Sequence, residues 1–174
     1  TAPWFDSRNS IEKVVVKSGV SQIGDYAFYQ CKNLISIELP DSVTRIGTEA
    51  FNMCYKLESV LIPESVEEIE SSAFRDCKAL KSVNLPPKLV CVSSAMFSGC
   101  YNLTDIIIPD GVTKIGAAVF DGCRSLSQVI IPDSVTYVGD AAFRECYSLT
   151  EIVIPNEATY IGSDVFSHSG VLDI

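Results

Sequence analysis

Apolar and polar positions along this chain recur with a step of 23 residues. Phenylalanine stands at Phe28, Phe51, Phe74, Phe97, Phe120, Phe143 and Phe166, and leucine at Leu34, Leu57, Leu80, Leu103, Leu126, Leu149 and Leu172. Proline follows the same step from Pro40 to Pro155, and cysteine from Cys31 to Cys146. The unit 34–56 shows what each repeat predicts. Leu34, Ile37 and Leu39 point inward from a short strand while Ile35, Ser36 and Glu38 point outward, by the two-residue alternation of strands. Pro40 offers no N–H to a ladder and ends the strand. Asp41–Ser42 opens a turn, and Val43 and Ile46 point inward again from a second short strand. Gly47 allows a tight bend or a positive φ, although Glu70 and Ser93 occupy the same column. Ala50 to Cys54 forms a short helical or turn-like arm, with Phe51 filling the space between layers.

Self-similarity at this period is the mark of a solenoid. A period of roughly 20–29 residues around an L-x-x-I-x-L core is the leucine-rich repeat signature, and here the core reads LISIEL, LESVLI, LKSVNL, LTDIII, LSQVII and LTEIVI. The fuller pattern L-x-x-I-x-I-P-x-S-V-T-x-I-G-x-x-A-F-x-x-C resembles the BspA-like, or Treponema pallidum-type, leucine-rich repeat family over roughly residues 11–174, most closely in IPDSVTYVGDAAFRECYSL at 131–149. The resemblance implies a right-handed solenoid without catalytic residues or cofactors, usually in surface or secreted proteins of bacteria and some protozoa. Members of the family are implicated in adhesion. The expected fold is therefore an α/β-type leucine-rich repeat solenoid, largely β and coil, with parallel short strands on its concave face. It forms one domain over 1–174 with about six full repeats. Residues 4–17 read as a diverged N-terminal cap, with Trp4 and Phe5 over the open end and Phe5 one period before Phe28. Pro86-Pro87-Lys88-Leu89-Val90 replaces the PxSVT turn, so the third full repeat is expected to bend the array.

Charge narrows the partners. The net charge is −9, which excludes a general phosphate-binding stripe for nucleic acid and docking on anionic lipid. No apolar stretch approaches the ~20 residues of a membrane-spanning helix. The family resemblance implies an extracellular or cell-surface bacterial location, with any signal peptide or anchor outside this segment.

The cysteine column admits four chemistries. A disulfide needs facing Cβ vectors, whereas side chains on stacked rungs run parallel. A zinc site needs four converging ligands, and a straight column does not converge. A catalytic thiol needs a base or an electropositive setting, and the one histidine, His168, lies near the C-terminal end. The remaining reading is a column of reduced, buried, unreactive thiols. Cys91 lies outside the column, in the outward series of Arg45, Glu68, Lys114, Tyr137 and Tyr160, and is the expected modifiable thiol.

No catalytic, metal or cofactor residues are expected, and the chain is not expected to be an enzyme. The candidate binding surface is the outward, concave strand face: Leu61, Asn84, Asp105, Ile107, Gln128, Ile130, Glu151 and Val153. Its apolar centre and polar rim suit a protein partner, such as a host or cell-surface protein. A homodimer through the same stripe is a second use of it, and β-propensity on a half-exposed sheet accounts for the same residues without a partner. A structural spacer presenting another domain is the alternative function. The alternation Lys32, Tyr55, Lys78, Tyr101, Arg124, Tyr147 allows cation–π contacts between rungs.

Overall fold

The structure is a computed structural model that describes residues 4–171. Leu172, the last of the leucine series, lies outside them. Each coil contributes two short strands to two parallel ladders, except the last described coil, which contributes one. The first ladder contains Lys13–Val15, Ser36–Glu38, Ser59–Val60, Ser82–Val83, Asp105–Ile107 and Gln128–Ile130. The second contains Gln22–Ile23, Arg45–Ile46, Glu68–Ile69, Cys91–Val92, Lys114–Ile115, Tyr137–Val138 and Tyr160–Ile161. Pairing follows the sequence period: Ile37 stands beside Val14 and Val60, and Lys114 beside Cys91 and Tyr137. Side chains of equal phase therefore form columns, the parallel β-solenoid that the 23-residue step predicts.

Between the second strand of one coil and the first strand of the next runs the arm, which is a turn rather than a helix. Two residues per arm are left-handed, among them Glu49 (φ 53°) with Met53 (φ 63°), and Ser72 (φ 59°) with Asp76 (φ 56°). Such a conformation is unfavourable for residues with a Cβ. It has a compensation: alternate N–H groups point along the solenoid axis. Glu49, Phe51 and Met53 donate to the carbonyls of Ser71, Ala73 and Arg75 at 3.1, 2.8 and 2.9 Å. The same three bonds recur from every arm between Tyr26 and Glu145, so the arm is a third ladder. An α-helical turn would direct these donors along its own axis.

Positive φ, which the Gly47 column allows but Glu70 and Ser93 show is not required there, falls two residues later, at Glu49, Ser72 and Ala95. The column's glycines serve close approach instead. A Cβ on Gly139 would stand 2.6 Å from the Ala117 nitrogen of the preceding coil.

Inside the coil, the phenylalanine rings of Phe28 through Phe166 stack with centroids 5.2–5.8 Å apart and planes within 15°. Phe51 through Phe143 are fully buried. Trp4, not Phe5, ends the stack: its ring lies 5.4 Å from Phe28 and its Nε1–H donates to the Ala27 carbonyl at 2.8 Å. The short 3-10 turn Phe5–Ser10 moves the cap one residue out of phase, and Phe5 receives the Arg8 guanidinium over its ring instead.

Both strand ladders part at the third coil. Ser82–Val83 closes a four-stranded sheet with the preceding coils, while Cys91–Val92 opens a four-stranded sheet with the following ones. The turn between them, with its Pro86-Pro87, thus passes from one block to the other. Side chains stand in for some backbone bonds. Asn84 donates to the Ile62 carbonyl at 2.8 Å and accepts from the Ile62 N–H at 3.0 Å, and the Ser93 hydroxyl donates to the Ile69 carbonyl at 2.6 Å. The arm ladder runs through this coil without interruption.

Candidate functional site

The outward positions of the first ladder are set by strand alternation. Ile106 and Val129 turn into the core, which leaves their neighbours Ile107 and Ile130 outside, paired in register. Leu61, Ile107, Ile130 and Val153 are 77%, 65%, 51% and 73% exposed, high values for aliphatic side chains held on a rigid frame. Two shallow grooves lie among them. The first, of about 670 Å³, opens where the first ladder parts and is bordered by Leu61, Asn84, Asp105 and Ile107, with Pro87 and Pro109 at its edge. The second, of about 540 Å³, is bordered by Gln128, Ile130, Glu151 and Val153. All eight sequence-derived positions therefore border one of two grooves on one face. Asn84 differs from the others, because its carboxamide is already bonded to Ile62 and shapes the floor of the first groove.

The thiol column has a polar role that its burial alone does not suggest. Cys54, Cys77, Cys100, Cys123 and Cys146 each donate S–H to the carbonyl of the phenylalanine in the preceding coil at 3.2–3.3 Å. All seven cysteines are free. Desolvation by burial pushes Cys31 up to about 11 and Cys146 up to about 12, and raises Cys54, Cys77, Cys100 and Cys123 in the same direction. These groups stay neutral and are poor nucleophiles. Cys91 is half-buried; desolvation raises it and the Lys114 ammonium opposes that rise. Among the described residues no group of three His, Cys, Asp or Glu is placed to hold a metal ion.

Two further clusters occupy other faces. Lys78 lies 4.7 Å from the Tyr55 ring and 5.4 Å from the Tyr101 ring, and Arg124 lies 4.8 Å from Tyr101 and 5.9 Å from Tyr147. The alternation after the cysteines is thus a cation–π ladder across the coils. On the second ladder, Arg45 binds Asp25 at 3.0 Å and Glu70, while Tyr137 and Tyr160 stack at 4.5 Å beneath the Lys114 ammonium. The tyrosine pair was legible as one outward column at the 23-residue step, but the sequence reading used that column only to place Cys91.

The model of the BspA-type leucine-rich repeat region matches residues 2–127 and 91–174, in six copies. The chain belongs to the BspA-type leucine-rich repeat family. Solved structures agree. A leucine-rich repeat protein from T. pallidum is 32% identical, with a TM-score of 0.88 over 94% of this chain and 78% of that one. One from Eubacterium ventriosum is 30% identical, with a TM-score of 0.85 over 94% of this chain, and one from Bacteroides ovatus is 33% identical, with a TM-score of 0.77 over 95% of it. This chain spans 44% of the Eubacterium chain and 51% of the Bacteroides chain. A search of curated proteins finds no match. Leucine-rich repeat solenoids generally act as interaction or adhesion scaffolds and are typically non-catalytic, their extended faces carrying the contacts.

Proposed function

We propose that this BspA-type array is a non-catalytic protein-interaction module of an extracellular or cell-surface bacterial protein, and that it binds through the outward face of the first ladder. The observation that carries the reading is the register of Ile107 and Ile130, with Val153 on the next coil, exposed beside two grooves. An apolar centre with a polar rim is the composition of a recognition patch. A bacterial source is supported by relatives at 30–33% identity from three bacteria, and the surface location follows the habit of the family.

A photo-crosslinking residue tests the reading when placed at Ile107 and, separately, at Glu68 on the second ladder. With a host-cell surface fraction, discrete protein adducts are expected from position 107 and not from position 68. Equal adducts from both positions would contradict the assigned face, and none from either would favour a spacer.

A further inference from the structure

The two halves of the first-ladder face carry different charge. The segments 102–113, 125–136 and 148–159 contain five carboxylates (Asp105, Asp110, Asp133, Glu151 and Glu157) and no Lys or Arg. The corresponding segments 10–21, 33–44, 56–67 and 79–90 contain five lysines against six carboxylates. Three of those lysines are already paired: Lys13 with Glu38 at 2.7 Å, Lys81 with Glu58 at 3.2 Å, and Lys88 with Glu67 at 2.7 Å. None of the five C-terminal carboxylates takes part in an ion pair among the described residues. Asp110 and Asp133, on adjacent coils, border a third and mainly polar cavity of about 460 Å³ beside the grooves.

The apolar anchors Ile107, Ile130 and Val153 and the carboxylates outside ion pairs therefore coincide on one half of one face, and the groove at Leu61 opens along the edge of that half. We propose that its occupant is a cationic, apolar protein segment that seats an aliphatic side chain in the groove between Leu61 and Ile107 and sets Lys or Arg against Asp105, Asp110, Asp133 and Glu151. The proposal rests on the reading of this face as the interaction surface. Charge complementarity selects this occupant over a second copy of the chain, because a self-complementary contact here would oppose carboxylate to carboxylate. The grooves add the apolar requirement, since a partner recognised by charge alone would leave Ile107 and Ile130 in water. Lys or Arg in the partner would steer encounter from roughly a Debye length away, about 10 Å at 0.1 M salt.

The test is selection of random twelve-residue peptides, displayed on phage, against the folded chain. Selected peptides are measured on three variants whose circular dichroism and melting match the parent. One carries Ile107→Thr and Ile130→Thr. The second carries Asp105→Asn, Asp110→Asn, Asp133→Asn and Glu151→Gln. The third is a control with Asp41→Asn and Glu64→Gln on the N-terminal half. The expected peptides interleave Lys or Arg with aliphatic residues. They lose at least about tenfold in affinity on each of the first two variants, a loss of about 1.4 kcal/mol, keep their affinity on the control, and weaken as salt is raised. Peptides that depend on Ile107 and Ile130 but are neutral or acidic, or ignore the carboxylate variant, would overturn the cationic occupant and leave the face reading intact. Peptides indifferent to both variants, or no binders at all, would overturn both. A dimer in sedimentation of the parent chain, lost in the isoleucine variant, would put a second copy in place of the cationic segment.

Discussion

The arm and the first ladder of each coil obey the same 23-residue step and use it differently. In the arm, Phe, Cys and Leu recur almost without exception, their side chains are buried from Phe28 to Leu149, and three backbone bonds join each coil to the next from Tyr26 to Glu145. In the first ladder the inward residues are as regular, but the outward column changes from Glu38 to Leu61, Asn84, Ile107, Ile130 and Val153, and the ladder parts at the third coil. Repetition marks what stacking requires, because each identical surface must cover its neighbour. Departure from repetition marks positions that stacking leaves free, and there a partner can be specified.

The largest consequence concerns the thiols of the arm. Each holds its proton in the folded state where the unfolded chain, with a thiol value near 9.0, has released it. Stability is thus intact below pH 9 and falls as pH climbs towards the folded values, by about 1.4 kcal/mol per pH unit for each buried thiol. With six thiols buried, urea midpoints measured from pH 8 to 11 should collapse above pH 9, and Cys123→Ala should flatten the slope. A flat profile to pH 11 would show that the column is not buried as described.

Next is the ring stack. Phe97→Ala is expected to destabilise by about 3–5 kcal/mol, with Phe166→Ala costing less because Phe166 is only partly buried. Equal losses at the two positions in urea unfolding would blur the distinction between stack interior and end. Smaller effects belong to the contacts between coils. Gly139→Ala should cost about 1–3 kcal/mol by overpacking against Ala117, and Asn84→Ala about 1–3 kcal/mol by leaving the Ile62 N–H and carbonyl without their partner. If Asn84→Ala is neutral in thermal melts, the third coil does not depend on that side chain. The smallest effect is kinetic: Cys91 should be labelled by a thiol reagent before any column cysteine, and preferential labelling of the column in the folded protein would reverse the assignment.

How much of this was legible follows from the same contrast. The Phe, Leu and Pro columns, the inward strand residues and the exposed stripe could be read because each depends on period and alternation alone. The left-handed arm could not, because Glu49, Ser72 and Ala95 adopt positive φ where no glycine or asparagine announces it. Their strain is offset by bonds to another coil, which composition does not record. Trp4 displaced Phe5 because a cap answers to one neighbour and not to the repeat. Pro86-Pro87 signalled a bend, but the bonds of Asn84 to Ile62 and of Ser93 to Ile69 depend on how the rungs meet. For the face, the sequence located the residues, and the structure added the grooves and the carboxylates outside ion pairs.

The most direct measurement sets recognition against stability in one protein. The variant Ile107→Thr/Ile130→Thr/Val153→Thr keeps β-branched residues on the strands and should unfold within about 0.5 kcal/mol per site of the parent, while its affinity for face-selected cationic peptides falls at least about tenfold, or about 1.4 kcal/mol. Retained affinity, or a stability loss comparable to that of Phe97→Ala, would contradict the separation of a repeated stacking arm from a variable recognition face.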